Sequence, residues 1–134
     1  MELQVGAKIL LRNSGGKYLL IRRSADERHG VGKWDIPGGR LEAEMSLMDN
    51  LVREIREETG FTHDTKPVFL TVQDMMWPDR HVVRLVYTGV AEGDPVLSHE
   101  HTEFKWLSAE EIKQMTTLEF DRYLSPLFSD GTLS

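Results

Sequence analysis

The chain has 134 residues, a length that fits one domain, and it contains no cysteine. Disulfides, thiolate zinc sites and cysteine nucleophiles are therefore excluded. Acidic residues outnumber basic residues by 22 to 16, which gives a formal net charge of −6. This charge argues against non-specific binding to a nucleic-acid polymer, and it implies that an anionic ligand would need a divalent cation beside it.

The N-terminal segment is mixed and acidic, without the pattern of a signal peptide. No stretch approaches the roughly 20 apolar residues that span a bilayer. We therefore expect a cytoplasmic protein, a single domain over residues 1–134 and no membrane association.

The first elements in chain order are two predicted strands, residues 5–11 and 17–22. The turn-forming residues 13–16 between them predict a hairpin. Residues 24–33 are polar and glycine-containing, which predicts a loop. Residues 34–36 form a short extended segment that Pro37 and two glycines end.

A helix is predicted over residues 46–59, with Ser46 as its N-cap and Gly60 as its left-handed C-terminal residue. Its apolar residues recur at spacings of three and four and form one stripe: Leu47, Met48, Leu51, Val52 and Ile55.

The second half of the chain begins with two predicted antiparallel strands, residues 67–74 and 81–91. A short strand at 104–106 follows, and Ser108 with Glu111 has the spacing of a capping box. A last helix is predicted over about 118–127, and residues 129–134 are expected to be frayed. These elements predict an α/β fold with a mixed central sheet.

Three carboxylates share one side of the predicted helix. At about 100° per residue, Glu54, Glu57 and Glu58 fall within an arc of about 100°. Clustered carboxylates are ligands for Mg²⁺ or Mn²⁺. The same residues could form a solvated face in which Arg53 pairs with Glu57. The upstream loop favours the metal site, because its glycines let a backbone carbonyl approach an ion.

The segment from Gly39 to Phe61 reads Gly-x5-Met-x7-Arg-Glu-Ile-x-Glu-Glu-x-Gly-Phe. It resembles the signature box of the Nudix (MutT-type) hydrolases, and residues 34–38 resemble the usual lead-in to that box. The resemblance implies a Nudix-type α/β/α sandwich with a mixed central sheet.

The resemblance also implies the chemistry. Members of the family hydrolyse a nucleoside diphosphate linked to another group, with Mg²⁺ or Mn²⁺ as cofactor. By position, the carboxylates of Glu54, Glu57 and Glu58 and the carbonyl of Gly39 would hold the metal. The general base would be Glu54 or Glu100, with Glu103 as a weaker alternative.

One position departs from the box. Met45 stands where the family has a glutamate that braces the box arginine, here Arg53. The resemblance leaves three ways to hold that arginine: Glu44, Glu42, or Glu57 alone.

Further candidates lie outside the box. Arg22 and Arg23 could contact phosphate, or they could be a solvated strand end. Trp77 could stack on a base, or it could belong to the core. The segment His99-Glu100-His101 offers two imidazoles, but no third nitrogen or sulfur ligand lies nearby in sequence, so zinc is not favoured.

The leading expectation is a metal-dependent pyrophosphohydrolase of (deoxy)nucleoside triphosphates. The alternatives are a nucleotide-sugar (ADP-ribose-like) or dinucleoside polyphosphate hydrolase, and a catalytically weak nucleotide-binding module. The resemblance also allows a homodimer.

Overall fold

The structure, a computed structural model, describes residues 1–24, 32–115, 122–129 and 133. Within these ranges it contains seven strands and three helices. The strands are β1 (Glu2–Arg12), β2 (Tyr18–Arg23), β3 (Trp34–Asp35), β4 (Gly38–Arg40), β5 (Val68–Met76), β6 (Arg80–Val90) and β7 (His101–Leu107). The helices are α1 (Leu47–Thr59), α2 (Ala109–Gln114) and α3 (Ser125–Ser129). Among the described residues, no helix is long and apolar enough to cross a membrane.

All seven strands belong to one sheet. The main path runs β3-β2-β1-β6-β5, with β4 paired to β1 and β7 paired to β2. Strands β1 and β6 are parallel, whereas the other pairs are antiparallel. The mixed sheet and its packed helices confirm the predicted α/β class.

The predicted hairpin of β1 and β2 is present, but its antiparallel pairing is short. Strand β1 meets β2 only at Arg12 and Tyr18. Its long partner is β6, from Glu2 opposite Arg80 to Arg12 opposite Val90, and β2 pairs mainly with β7. The turn at residues 13–16 therefore joins two strands that diverge. The predicted pair at 67–74 and 81–91 is confirmed as β5 and β6, which are antiparallel.

Helix α1 agrees closely with its prediction. The Ser46 side chain accepts a hydrogen bond from the Asp49 amide at 3.1 Å, and Gly60 takes a φ of 75° at the end. The buried face differs from the predicted stripe, because Met48 and Val52 are exposed. Glu58, at the edge of that stripe, is buried, whereas Glu57 is exposed.

The core consists of two clusters on opposite faces of the sheet. The α1-side cluster contains Ala7, Ile9, Leu11, Leu19, Ile21, Leu51, Ile55, Tyr87 and Ala91. The α2-side cluster contains Leu10, Tyr18, Leu20, Trp34, Ile36, Val86, Ala109, Ile112, Leu124, Leu127, Phe128 and Leu133. Strands β1 and β2 supply both clusters, because successive side chains point to opposite faces.

The C-terminal prediction is only partly met. Helix α3 begins at Ser125, residues 122–124 form a turn, and residues 116–121 lie outside the described part. Leu133 is buried in the α2-side cluster, so the expectation of a frayed end is wrong at this residue. The predicted loop at 24–33 lies mostly outside the described residues, which lack 25–31.

Candidate active site

A cavity of about 320 Å³ opens where β1, β4, β6 and the start of β7 meet helix α1. Its lining is mainly polar and charged. The lining residues are Gln4, Gly6, Lys8, Arg23, Gly38, Gly39, Arg40, Glu58, Val82, Arg84, Glu100 and His101. Four of the predicted site residues, Gly39, Glu58, Glu100 and Arg23, are therefore brought together.

A buried carboxylate anchors three cations beside this cavity. Asp35 on β3 is bound by Lys8 Nζ at 3.0 Å and by Arg23 Nη2 at 2.5 Å, and Arg84 Nη2 lies 3.4 Å away. Burial raises the pKa of Asp35, but the three cations outweigh burial and hold it well below its usual range. The carboxylate therefore stays ionised and fixes three positive charges in place.

Glu58 is the other buried carboxylate of the site. It accepts a hydrogen bond from the Gly38 amide at 2.9 Å. Burial raises the pKa of Glu58 to about 8, although Lys8 and the Gly38 amide oppose this rise, and the nearby Glu54 and Asp35 add to it. A divalent cation beside Glu58 would favour its ionised form.

Strand β4 brings backbone close to these carboxylates, and the sequence did not predict it as a strand. Gly38 has a φ of 131°, and a Cβ atom there would lie 2.1 Å from the Ala7 carbonyl oxygen. A Cβ atom on Gly39 would lie 3.0 Å from Glu54 Cδ. Glycine at both positions lets the β4 backbone fit between β1 and helix α1.

Arg53 organises the outer part of the acidic helix face. Its Nη1 donates to both carboxylate oxygens of Glu57 at 3.0 Å, and its Nη2 donates to Glu54 Oε1 at 3.0 Å and to Asn50 Oδ1 at 3.1 Å. Glu42 lies 3.4 Å from the same Nη2. The guanidinium is therefore held by Glu57, Glu54, Asn50 and Glu42.

The expected metal ligands do not share one environment. Glu58 is buried, Glu54 is partly buried, and Glu57 has a side chain 55% exposed. Burial raises the pKa of Glu54, while Arg53 opposes the rise. Glu57 is not among the described residues that line the cavity, and its carboxylate pairs with Arg53.

Glu100 and His101 complete the cavity from the start of β7. Ligand atoms of Glu58, Glu100 and His101 all lie within 4.8 Å of one another, so this group could hold a metal ion. Burial, reinforced by Lys8, lowers the pKa of His101 to about 4. Its imidazole is therefore neutral at pH 7.

The remaining predicted residues lie elsewhere. Arg22 pairs with Glu103 at 2.9 Å, and Trp77 donates from Nε1 to the Tyr123 hydroxyl at 2.9 Å. Neither Arg22 nor Trp77 is among the described residues that line the cavity. Glu103 also lies outside this lining.

Three charged residues in or beside the cavity were not predicted. Lys8 and Arg84 are charged residues inside the apolar strands β1 and β6, and Asp35 lies between Trp34 and Ile36. The sequence does carry one signal for them, a charged residue within an otherwise apolar segment. Such a charge, if buried, needs an oppositely charged or hydrogen-bonding partner. The sequence could not show that these three charges meet.

Comparison with known proteins agrees with this architecture. A sequence model of the NUDIX domain matches residues 2–128. Nucleoside triphosphatase NudI of Klebsiella pneumoniae strain 342 is 30% identical over 117 residues, which cover 78% of this chain and 81% of that protein. The 8-oxo-dGTP diphosphatase of Escherichia coli K12 is 33% identical over 81 residues, 60% of each chain.

Solved structures give the same result. The crystal structure of a MutT protein from Methanosarcina mazei Go1 matches with a TM-score of 0.85 and 33% identity, covering 95% of this chain and 91% of that chain. The chain spans only 20% and 19% of two longer curated relatives, from Caenorhabditis elegans and Danio rerio. From the domain match over residues 2–128 and from the MutT protein of which it covers 91%, the chain belongs to the Nudix hydrolase family, whose members hydrolyse phosphoanhydride bonds.

Proposed function

We propose that this chain is a divalent-metal-dependent pyrophosphohydrolase that converts a (deoxy)nucleoside triphosphate and water into the monophosphate and pyrophosphate. The observation that carries the proposal is the charge of the cavity. Four cationic side chains, Lys8, Arg23, Arg40 and Arg84, line it together with the carboxylates of Glu58 and Glu100. The whole chain has a net charge of −6, so this concentration of cations is local and suits a polyphosphate.

The residues present also fit a metal ion of the kind that the family uses. Glu58 is a buried carboxylate with a raised pKa, and Glu54 lies against Gly39. Ligand atoms of Glu58, Glu100 and His101 lie within 4.8 Å of one another at the cavity. Glu54, Glu57, Glu58 and the Gly39 carbonyl would hold the ion. The bound ion would supply Lewis acidity towards the phosphate oxygens.

The side chains of the site would act on the triphosphate directly. Lys8, Arg23 and Arg84, fixed around Asp35, would stabilise the charge that builds up on phosphorus-bound oxygens as water attacks. The phosphoanhydride bond breaks as the new bond to the water oxygen forms, and pyrophosphate leaves. A carboxylate accepts the proton of the water, and Glu54 and Glu100 remain the two candidates.

Two relatives favour a triphosphate over other nucleotides. One that covers 78% of this chain is a nucleoside triphosphatase, and one that covers 60% is an 8-oxo-dGTP diphosphatase. The cavity volume of about 320 Å³ lies at the lower end of the range for small-molecule sites. We infer that it takes the phosphates, while the nucleoside extends towards the cavity mouth.

A substrate panel tests this proposal. The protein is incubated with Mg²⁺ or Mn²⁺ and with common and oxidised (d)NTPs, ADP-ribose, nucleotide sugars or dinucleoside polyphosphates, and products are separated by chromatography. We expect monophosphate and pyrophosphate from a triphosphate, and loss of turnover when the metal is chelated. Dominant cleavage of ADP-ribose or of a dinucleoside polyphosphate would replace the substrate class.

Two variants distinguish the candidate bases. Glu54→Gln and Glu100→Gln are compared with wild type across a range of pH under saturating substrate and metal. The variant that removes the base should lose the acidic limb of the pH–rate profile. Absence of turnover in the folded wild-type protein, with nucleotide and metal still bound, would favour the binding-module alternative.

A further inference from the structure

We propose that His101 provides a nitrogen ligand to the divalent ion of this site, so that the site prefers a first-row transition-metal ion to Mg²⁺. This inference rests on the proposed function, because it names the class of metal for the same cavity. It concerns a residue that lies outside the glutamate-rich box on α1 and that belongs to strand β7.

The donor atoms are close enough for one ion. His101 Nε2 lies 3.9 Å from Glu58 Oε2, too far for a hydrogen bond between them. Ligand atoms that share an ion at about 2.0–2.2 Å are separated by about 3–4.2 Å. Glu100 is within 4.8 Å of both donors, and its exposed side chain can rotate to close the remaining gap.

An irregularity in the sheet turns His101 towards the cavity. Arg22 lies opposite Glu103, but Arg23 lies opposite His101, so Thr102 is an extra residue in β7. Directly opposed residues of an antiparallel pair project from the same face of the sheet. Arg23 lines the cavity, so its partner His101 also projects into it. Without the bulge, strict alternation would place His101 on the face of Glu103, away from Glu58.

The imidazole is buried without being satisfied. The His101 side chain is only 7% exposed, and its Nδ1 atom has no hydrogen-bond partner among the described residues. A buried imidazole in a folded protein normally bonds through both nitrogens. The ring lines the cavity beside two carboxylates, and the contact of its Nε2 atom with Glu58 is too long for a hydrogen bond, so the imidazole is available as a nitrogen ligand.

The chemistry of the donor set then selects the ion. Mg²⁺ prefers an all-oxygen shell, whereas imidazole nitrogen favours transition-metal ions such as Fe²⁺, Co²⁺ and Zn²⁺. Adding one nitrogen to two carboxylates should therefore strengthen binding along the transition series and leave Mg²⁺ binding nearly unchanged.

Paramagnetic Mn²⁺ is the probe for the experiment. Protein freed of metal by chelation is titrated with Mn²⁺, and electron spin-echo modulation detects a ¹⁴N nucleus bound to the ion. Wild type should show this coupling, and labelling the unaltered chain with ¹⁵N-histidine should replace it with a ¹⁵N coupling. The labelling needs no substitution, so it holds even where a variant fails to fold.

His101→Gln should abolish the coupling. It should also weaken Mn²⁺ binding by at least about tenfold. Removing a residue that only hydrogen-bonds to a metal ligand already weakens metal binding by about this factor. His99→Gln is the matched control, since His99 is exposed and does not line the cavity. That variant should keep both the coupling and the affinity.

The outcomes separate this inference from the proposed function. Mn²⁺ bound without histidine coupling in an active enzyme would overturn the role of His101 and leave the pyrophosphohydrolase intact. Coupling that persists in His101→Gln would do the same. Failure to bind Mn²⁺ together with failure to turn over any nucleotide would overturn the metal-dependent function and this inference with it.

Discussion

Asp35 and Glu58 are both buried carboxylates near Lys8, yet their pKa values move in opposite directions. Three cations surround Asp35 at 2.5–3.4 Å, and they outweigh the effect of burial. Glu58 has the Gly38 amide and a more distant influence from Lys8, and burial prevails. Asp35 is therefore a fixed structural anion, whereas Glu58 would ionise readily at neutral pH only with a cation beside it.

The raised pKa of Glu58 predicts how the metal-free protein responds to pH. Folding raises this pKa from 4.5 to about 8, so the contribution of Glu58 to stability is complete below pH 4.5 and is lost as the pH rises through 8. Glu58→Gln should remove this loss and should be more stable than wild type at pH 8.5 by up to about 5 kcal/mol. Urea unfolding in EDTA from pH 5 to pH 8.5 measures the difference.

His101 affects the acidic part of the dependence of the unfolding free energy on pH. Its pKa is lowered from 6.5 to about 4, so its contribution is present above pH 6.5 and is lost as the pH falls. The free energy of unfolding of wild type is subtracted from that of Glu58→Gln at each pH. The difference reports Glu58 alone, because both proteins contain His101. A difference that stays constant between pH 5 and pH 8.5 would contradict the assignment.

Glu57 makes a second prediction at the scale of one residue. Glu57→Gln should lower kcat by at least about 100-fold, the scale of removing one electrostatic group from a catalytic site. The fold should persist, because the exposed Arg53–Glu57 pair contributes at most about 1 kcal/mol. Steady-state kinetics with the preferred nucleotide and circular dichroism provide the two readouts.

A closely matched control exists for Glu57. Glu103 is 50% exposed and pairs with Arg22 at 2.9 Å, as Glu57 is 55% exposed and pairs with Arg53 at 3.0 Å. Glu103→Gln therefore removes an equivalent ion pair outside the cavity and should retain wild-type kcat. Equal rates for the two variants would remove Glu57 from the site.

The helix periodicity could predict that three carboxylates share one side of α1, and it places Glu58 at the edge of the apolar stripe, where partial burial is expected. The structure confirms the burial of Glu58 and leaves Glu57 exposed and paired with Arg53. Burial of Met48 and Val52 was expected from the stripe alone. Both are exposed, because the part of the stripe that contacts the sheet depends on packing partners outside the helix sequence.

At the scale of elements, strand β4 sets the distance between the sheet and helix α1. Gly38→Ala should destabilise the fold by at least about 3 kcal/mol, since a new Cβ atom would overlap the backbone and the residue already has a positive φ. The overlap is with Ala7, whose carbonyl oxygen would be 2.1 Å from the Cβ atom. Chemical denaturation followed by circular dichroism measures the free energy of unfolding.

Gly93 is the control for backbone conformation. It has a φ of 90°, and a Cβ atom there would meet nothing within 4 Å. Gly93→Ala therefore carries only the conformational cost, about 1–2 kcal/mol. If the two variants lost equal stability, close approach at β4 would not be what requires Gly38.

Local patterns could predict α1, β5 and β6, because each carries its own periodicity and end signals. They could not predict β4, where two glycines and one arginine have no strand propensity and only the pairing with β1 makes them a strand. Local sequence patterns also could not predict the bulge at Thr102, since it is a shift in the register between β2 and β7.

At the scale of the molecule, the sheet lies between the two core clusters and supplies residues to both. Leu19 and Ile21 pack on the α1 side, while Tyr18 and Leu20 pack on the α2 side of the same strand. The site uses the same sheet, since Lys8 lies between Ala7 and Ile9 on β1 and, by strand alternation, projects from the face opposite to theirs. Neither helical layer can separate without exposing strands that the other layer needs.

This arrangement predicts one cooperative unfolding transition for residues 1–134. Leu51→Ala on the α1 side and Ile112→Ala on the α2 side should each cost about 2–5 kcal/mol, because both side chains are fully buried. Each variant should shift the whole transition, with far-ultraviolet circular dichroism and tryptophan fluorescence remaining coincident. Fluorescence reports both sides, because Trp34 belongs to the α2-side cluster and Trp106 packs against the α1-side cluster. Two separated transitions in either variant would mean that the faces fold independently and that the chain is not one domain.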